Sequence, residues 1–144
     1  MKKPAAPKKA AEPTWLTAVR AAEEKKAQDI KVLDLTGVSS FTDFFVICTG
    51  TSAKQNQAIS DEVAMRLKKR GERPLSVEGY GQAEWILTDY GDLVVHALTP
   101  KARAYYDLER LWREGKPVEI AAETAVDSAR KSAAPKTRAA SKTD

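Results

Sequence analysis

The run Phe44-Phe45-Val46-Ile47-Cys48 restricts the fold of this chain more than any other stretch. Consecutive apolar side chains leave no polar set to face water, so the strand they predict must be covered on both faces. Each such side chain gains roughly 1.5–3 kcal/mol on full burial, which places the run at the centre of the core. Thr49-Gly50-Thr51-Ser52 then closes the strand and opens a helix, with Ser52 and Gln55 at the spacing of a capping box. Ala58, Ile59, Val63 and Leu67 predict the buried face of that helix. Lys68, Lys69 and Arg70 suit its negative end, and Gly71 can take the left-handed conformation that stops it.

A second constraint lies downstream. Trp85-Ile86-Leu87-Thr88 and Leu93 to Leu98 have strand composition, and Asp89-Tyr90-Gly91-Asp92 between them has turn chemistry, which predicts a hairpin. Thr99 can cap a following helix with Pro100 in its first turn. Ala104, Tyr105, Leu108, Leu111 and Trp112 recur at helical spacing and predict one helix returning over the sheet. Upstream, Trp15, Leu16, Val19 and Ala22 mark an amphipathic helix from Thr14 to near Gln28. Asp29 to Leu35 follows as a strand, and Thr36 to Ser40 as a loop. Pro74 to Val77 reads as a short strand and Glu78 to Gln82 as a glycine-rich loop. The order predicts an α+β sandwich with a mixed sheet of about five strands, in which the helix after Ser52 makes a right-handed crossover between two parallel strands.

The 144 residues suit one domain over residues 14–120, flanked by tails at 1–13 and 121–144 whose composition predicts disorder. The net charge of +4 belongs to those tails. Residues 1–13 carry four Lys against one Glu, and 121–144 five basic against three acidic residues, leaving 15 basic and 16 acidic side chains in 14–120. A domain that reads nucleic acid gathers Lys and Arg on its folded surface, and this one does not. The basic tails could still touch RNA without sequence preference. No apolar run approaches the roughly 20 residues needed to span a bilayer, so no membrane association is expected. The start MKKPAAPKKAA carries neither an apolar signal core nor the Arg and Ser of an organellar presequence, which makes the cytoplasm the expected compartment. Cys48, the single cysteine, permits no intrachain disulfide or thiolate cluster.

Catalytic chemistry finds little support. Gly50-Thr51-Ser52 lies where a helix N-terminus can bind phosphate, and a nucleotidyltransferase-like enzyme could use it. No GxxxxGK[ST] or GxGxxG accompanies it, and a glycine turn with an N-cap explains the same residues. His96, mid-strand among aliphatic residues, reads as a satisfied, partly buried imidazole, and Cys48 as a small core residue. No catalytic set, metal site or cofactor is expected. The hairpin is more informative: Trp85, Leu87 and Asp89 share one side of their strand, and Ile86, Thr88 and Tyr90 the other. If Ile86 and its set pack inward, Trp85 and Leu87 are left outward beside Asp89 and Glu84, which is the composition of an interface with an aromatic anchor and an acidic rim. Periodicity alone leaves open whether Trp85 lies outward or under a helix.

In order, the motifs TDFFVICTGTS, VEG, EWILTDYGDLVVH and YYDLERLW resemble the ribosomal silencing factor family, also called the Iojap family, over about Thr14 to Trp112. The resemblance implies a fold related to nucleotidyltransferases but used without known catalysis. It implies binding of the large ribosomal subunit through ribosomal protein uL14, sterically blocking the small subunit and lowering translation when nutrients are short. It points to Trp85 as the anchor, with Glu84, Asp89, Tyr90 and Asp92 giving polar or edge contacts and Leu87 a secondary one. Tyr105, Tyr106 and Trp112 would pack the last helix on the sheet. The family's tendency to self-associate further implies a homodimer through an overlapping surface.

Overall fold

The computed structural model describes residues 12–120. Both segments expected to be disordered lie outside the described residues, except for Glu12 and Pro13 at the start. The elements are α1 (Thr14–Glu24), β1 (Gln28–Asp34), β2 (Phe44–Thr49), α2 (Ala53–Lys69), β3 (Ser76–Glu78), β4 (Trp85–Asp89), β5 (Leu93–Leu98), α3 (Pro100–Tyr106), α4 (Leu108–Leu111) and β6 (Lys116–Pro117). They form an α+β fold around one mixed sheet of order β3-β4-β5-β2-β1-β6. The two central strands, β2 and β5, are parallel, with Val46 opposite Val95 and Ile47 opposite His96. All other neighbours are antiparallel.

The apolar run occupies the middle of the sheet, as a strand buried on both sides must. Val46 and Cys48 join Val32, Val95 and Ala97 beneath α1 and α2, which contribute Trp15, Leu16, Val19, Ile59, Val63 and Leu67. Phe45 and Ile47 point the other way, with Leu33, Leu35, Val94 and Leu98 beneath Ala102 and Leu108. Helices therefore cover both faces of the sheet centre. The Ser52 hydroxyl caps α2 by accepting the Gln55 amide at 3.0 Å, and Gly71 ends the helix region at φ +85°. Of the four positions expected inside, Ile59, Val63 and Leu67 are buried and Ala58 is half-buried. Asn56 is buried in its place.

Four expectations change. The first helix stops at Glu24 because Lys26 turns left-handed at φ +66°, releasing Gln28 to begin β1. The short strand before the glycine-rich loop runs Ser76–Glu78, two residues later than Pro74. A sixth strand of two residues, unforeseen because it contains Pro117, closes the outer edge, pairing Leu33 with Pro117 and Asp34 with Lys116. The largest change concerns the returning helix, which divides at Asp107, a non-glycine residue at φ +49°. Its predicted stripe holds only in part: Leu108 is buried and Trp112 packs partly against the same cluster, whereas Ala104 is exposed, Tyr105 is 79% and Leu111 68% exposed, and Ala102 and Arg103 face inward instead. An arginine can turn inward here because its charge is met. Arg103 Nη2 donates to Glu109 at 2.6 Å and Nη1 to the Thr49 hydroxyl at 2.8 Å. The same bond is the main cause that lowers the Glu109 carboxyl pKa.

Candidate functional site: the half-open face of strand β4

β4 joins a well-covered surface to a poorly covered one. Ile86 and Thr88 are buried, while Trp85, Leu87 and Asp89 on the other side remain half-buried. On that side the neighbouring β3 residues Ser76 and Glu78, opposite Asp89 and Leu87, are exposed. The open patch thus carries two apolar side chains with carboxylates beside them.

The β4–β5 turn is rigidly built. The Asp89 carboxylate accepts the Gly91 amide at 2.8 Å, and Gly91 takes φ +94°, a conformation that glycine adopts without a Cβ clash. The Asp92 carbonyl accepts the amides of Asp43 and Phe44, each at 3.1 Å, so the turn also aligns the start of β2. At the opposite end of β4, a Cβ on Gly79 would stand 2.1 Å from the Trp85 carbonyl oxygen, so only glycine lets the loop pass. Three consecutive amides of α2 tie down its surroundings. Gln55 Nε2 donates to the Lys25 and Lys26 carbonyls, Asn56 Nδ2 to the Ala83 carbonyl at 2.9 Å, and Gln57 Nε2 to the Tyr80 carbonyl at 2.8 Å. Reading for apolar periodicity overlooked Asn56 and Gln57 and took Gln55 only as a capping-box partner; Gln55-Asn56-Gln57, three amides at the head of one helix, was the available signal.

Trp85 is held from two directions. Its ring lies against Tyr106 with centroids 4.5 Å apart, and its Nε1–H donates to His96 Nδ1 at 3.0 Å. His96 is 2% exposed and meets Phe45 edge-on at 4.5 Å. Its burial, with a smaller effect from the Arg103 cation, takes the imidazole pKa down to about 3, so the ring is neutral at physiological pH. The ring contacts continue on both sides, from Tyr106 to the exposed Tyr105 and from Phe45 through Trp112 to the exposed Phe41. A groove of about 600 Å³ adjoins this belt, lined by Glu84, Thr99, Lys101, Tyr105 and Tyr106 among others.

Of the six residues expected at a docking edge, Trp85, Leu87 and Asp89 share the half-open face. Glu84 and Asp92 are exposed beyond its opposite ends. Tyr90 belongs with Ile86 and Thr88: it is 7% exposed within the α1/α2 core, where burial pushes its phenol up to about 12. Its ring is not part of the exposed face. Tyr106 is, at 47% exposure, and Tyr105 does not pack on the sheet as expected.

The Gly50-Thr51-Ser52 junction has its groups engaged internally. Thr51 donates its amide and hydroxyl to Gln55 Oε1 at 2.7 and 3.0 Å, so the expected capping box closes one residue early on its return side. Gly50 N–H donates to the Leu98 carbonyl at 3.1 Å. Cys48 is buried, and desolvation raises its thiol pKa to about 12, far from a thiolate. Among the described residues, no three His, Cys, Asp or Glu side chains cluster in a way that could hold a metal ion.

Comparison with known proteins agrees on one group. A family model described as "Ribosomal silencing factor during starvation" matches residues 7–144. The chain is 45% identical over 103 residues to a "Ribosomal silencing factor RsfS" of Halalkalibacterium halodurans, covering 72% of this chain and 88% of that protein. It is 43% identical to the protein of that name from Bacillus subtilis, over 66% of this chain and 80% of the relative. A Bacillus halodurans crystal structure superposes with a TM-score of 0.65 at 44% identity, covering 73% of this chain and 95% of that one.

Proposed function

The chain belongs to the ribosomal silencing factor family, and we propose that it represses translation by binding the large ribosomal subunit through ribosomal protein uL14, blocking the approach of the small subunit. The observation that carries this reading is the half-open face of β4, where Trp85 and Leu87 are presented beside Asp89, with Glu84 and Asp92 exposed at the two ends. An aromatic anchor ringed by carboxylates complements a basic protein surface, and ribosomal proteins are generally basic. Steric exclusion needs no catalytic group or cofactor, and the junction that a nucleotidyl-transfer site would use has its side chains tied into the α2 cap. The site of action is the cytoplasm, where subunits join. Self-association through the same face would compete with ribosome binding.

Binding of purified uL14 to the wild type and to Trp85→Ala tests the proposal. Loss of a central aromatic anchor is expected to cost about 2 kcal/mol, roughly a 30-fold weaker affinity. An unchanged affinity in a folded variant would remove Trp85 from the interface. On sucrose gradients the wild type should sediment with free large subunits; migration only with intact ribosomes would overturn the mechanism.

A further inference from the structure

We propose that His96 is a positioning residue of the docking face: its Nδ1 holds the Trp85 indole N–H and presets the ring, against Tyr106, for an incoming basic protein. The inference rests on Trp85 being the docking anchor. A half-buried tryptophan on an open sheet face would otherwise lose rotamer freedom on binding, and fixing it beforehand removes that loss from the affinity. Two contacts do the fixing here. Tyr106 lies 4.5 Å from the ring centroid, and the 3.0 Å hydrogen bond to His96 sets the direction of the indole edge.

Three features show that the histidine is committed to this acceptor role. A nitrogen that accepts from an indole carries no proton, so the imidazole is neutral with its hydrogen on Nε2. That Nε2 is buried with no hydrogen-bond partner, an unfavourable arrangement that leucine or phenylalanine at this position would avoid. The acceptor on Nδ1 is what a histidine supplies and they do not. The ring is also enclosed: it sits mid-strand on β5, opposite Leu87 on one side and Ile47 on the other, with Phe45 edge-on at 4.5 Å. Trp85 is therefore referenced to the rigid centre of the sheet, although it belongs to the less covered β4.

The test combines affinity for purified large ribosomal subunits with NMR of the free, full-length protein. His96→Phe keeps a ring and removes the acceptor; His96→Gln offers a carbonyl oxygen in its place. His96→Phe should bind about 3- to 10-fold more weakly and exchange the Trp85 indole proton faster, and His96→Gln should recover part of both. In the unmodified protein, a scalar coupling between Trp85 Nε1 and His96 Nδ1 should report the bond directly, whatever the folding of the variants. An absent coupling together with rapid indole exchange would overturn the proposal, as would a folded His96→Phe that binds like wild type while Trp85→Ala binds weakly. If Trp85→Ala itself bound normally, the docking reading would fail, and the positioning role with it; the coupling would then mark a purely structural bond.

Discussion

The two sides of β4 are built from similar residues and meet different fates. Ile86 is 1% exposed, whereas Leu87, the next residue, is only half-buried. The difference comes from the helices. α2 has 17 residues, about 25 Å at 1.5 Å per residue, and reaches across its side of the sheet as far as β4. α3 and α4, with 7 and 4 residues and a left-handed break between them, cover mainly the central strands. A partly apolar strand face thus stays half-open when the helix returning over it is too short, not when its own sequence differs.

The largest effect that should separate the sides is on stability. Ile86→Ala is expected to destabilise the fold by about 3 to 4 kcal/mol and Leu87→Ala by about 1 kcal/mol, as read by urea unfolding. Equal losses would mean the second face is covered after all.

A pH experiment probes the less covered side from below. The ordinary imidazole pKa is 6.5, and that of buried His96 is about 3. Between those values the unfolded chain binds a proton that the folded chain does not. The fold's advantage from keeping His96 neutral is therefore full above pH 6.5 and declines as pH falls toward 3. Between pH 7 and 4 the wild type should lose about 3 kcal/mol more than His96→Phe. Parallel stability curves would show that the imidazole is accessible to water.

Leu87→Ser should weaken uL14 binding by about 1 kcal/mol, roughly fivefold, a secondary contribution beside the anchor. An effect as large as that of Trp85→Ala would shift the centre of the interface along the strand. Removing residues 1–13 and 121–144 should change affinity for large subunits least, by about twofold, since only sequence-independent charge contacts would be lost. Loss of binding on that deletion would assign recognition to the tails instead of to β4.

Much of the architecture was legible because it rests on local chemistry. Phe44 to Cys48 announced a strand covered on both faces, the Asp89 to Asp92 segment announced a turn, and Ser52, Thr99 and Gly71 marked helix ends that the backbone reproduces. The hairpin's alternation also separated Trp85, Leu87 and Asp89 from Ile86, Thr88 and Tyr90 correctly. The final helix was partly misread for a physical reason. Periodicity assumes an unbroken helix with apolar residues inside, yet Asp107 reverses the backbone, and Arg103 turns inward to partners at Thr49 and Glu109. Nothing in a stripe of apolar letters signals a satisfied arginine.

Sequence by itself determined which side chains share a face, because a strand's two-residue repeat is imposed by its backbone. It also determined that residues 14–120 carry a slight acidic excess while the basic excess lies in residues 1–13 and 121–144. Only the tertiary structure decided that Trp85 is half-exposed and fastened to His96. That outcome depends on how far α3 extends and on a register that brings β4 and β5 side by side, which are contacts between residues distant in the chain that no local pattern encodes.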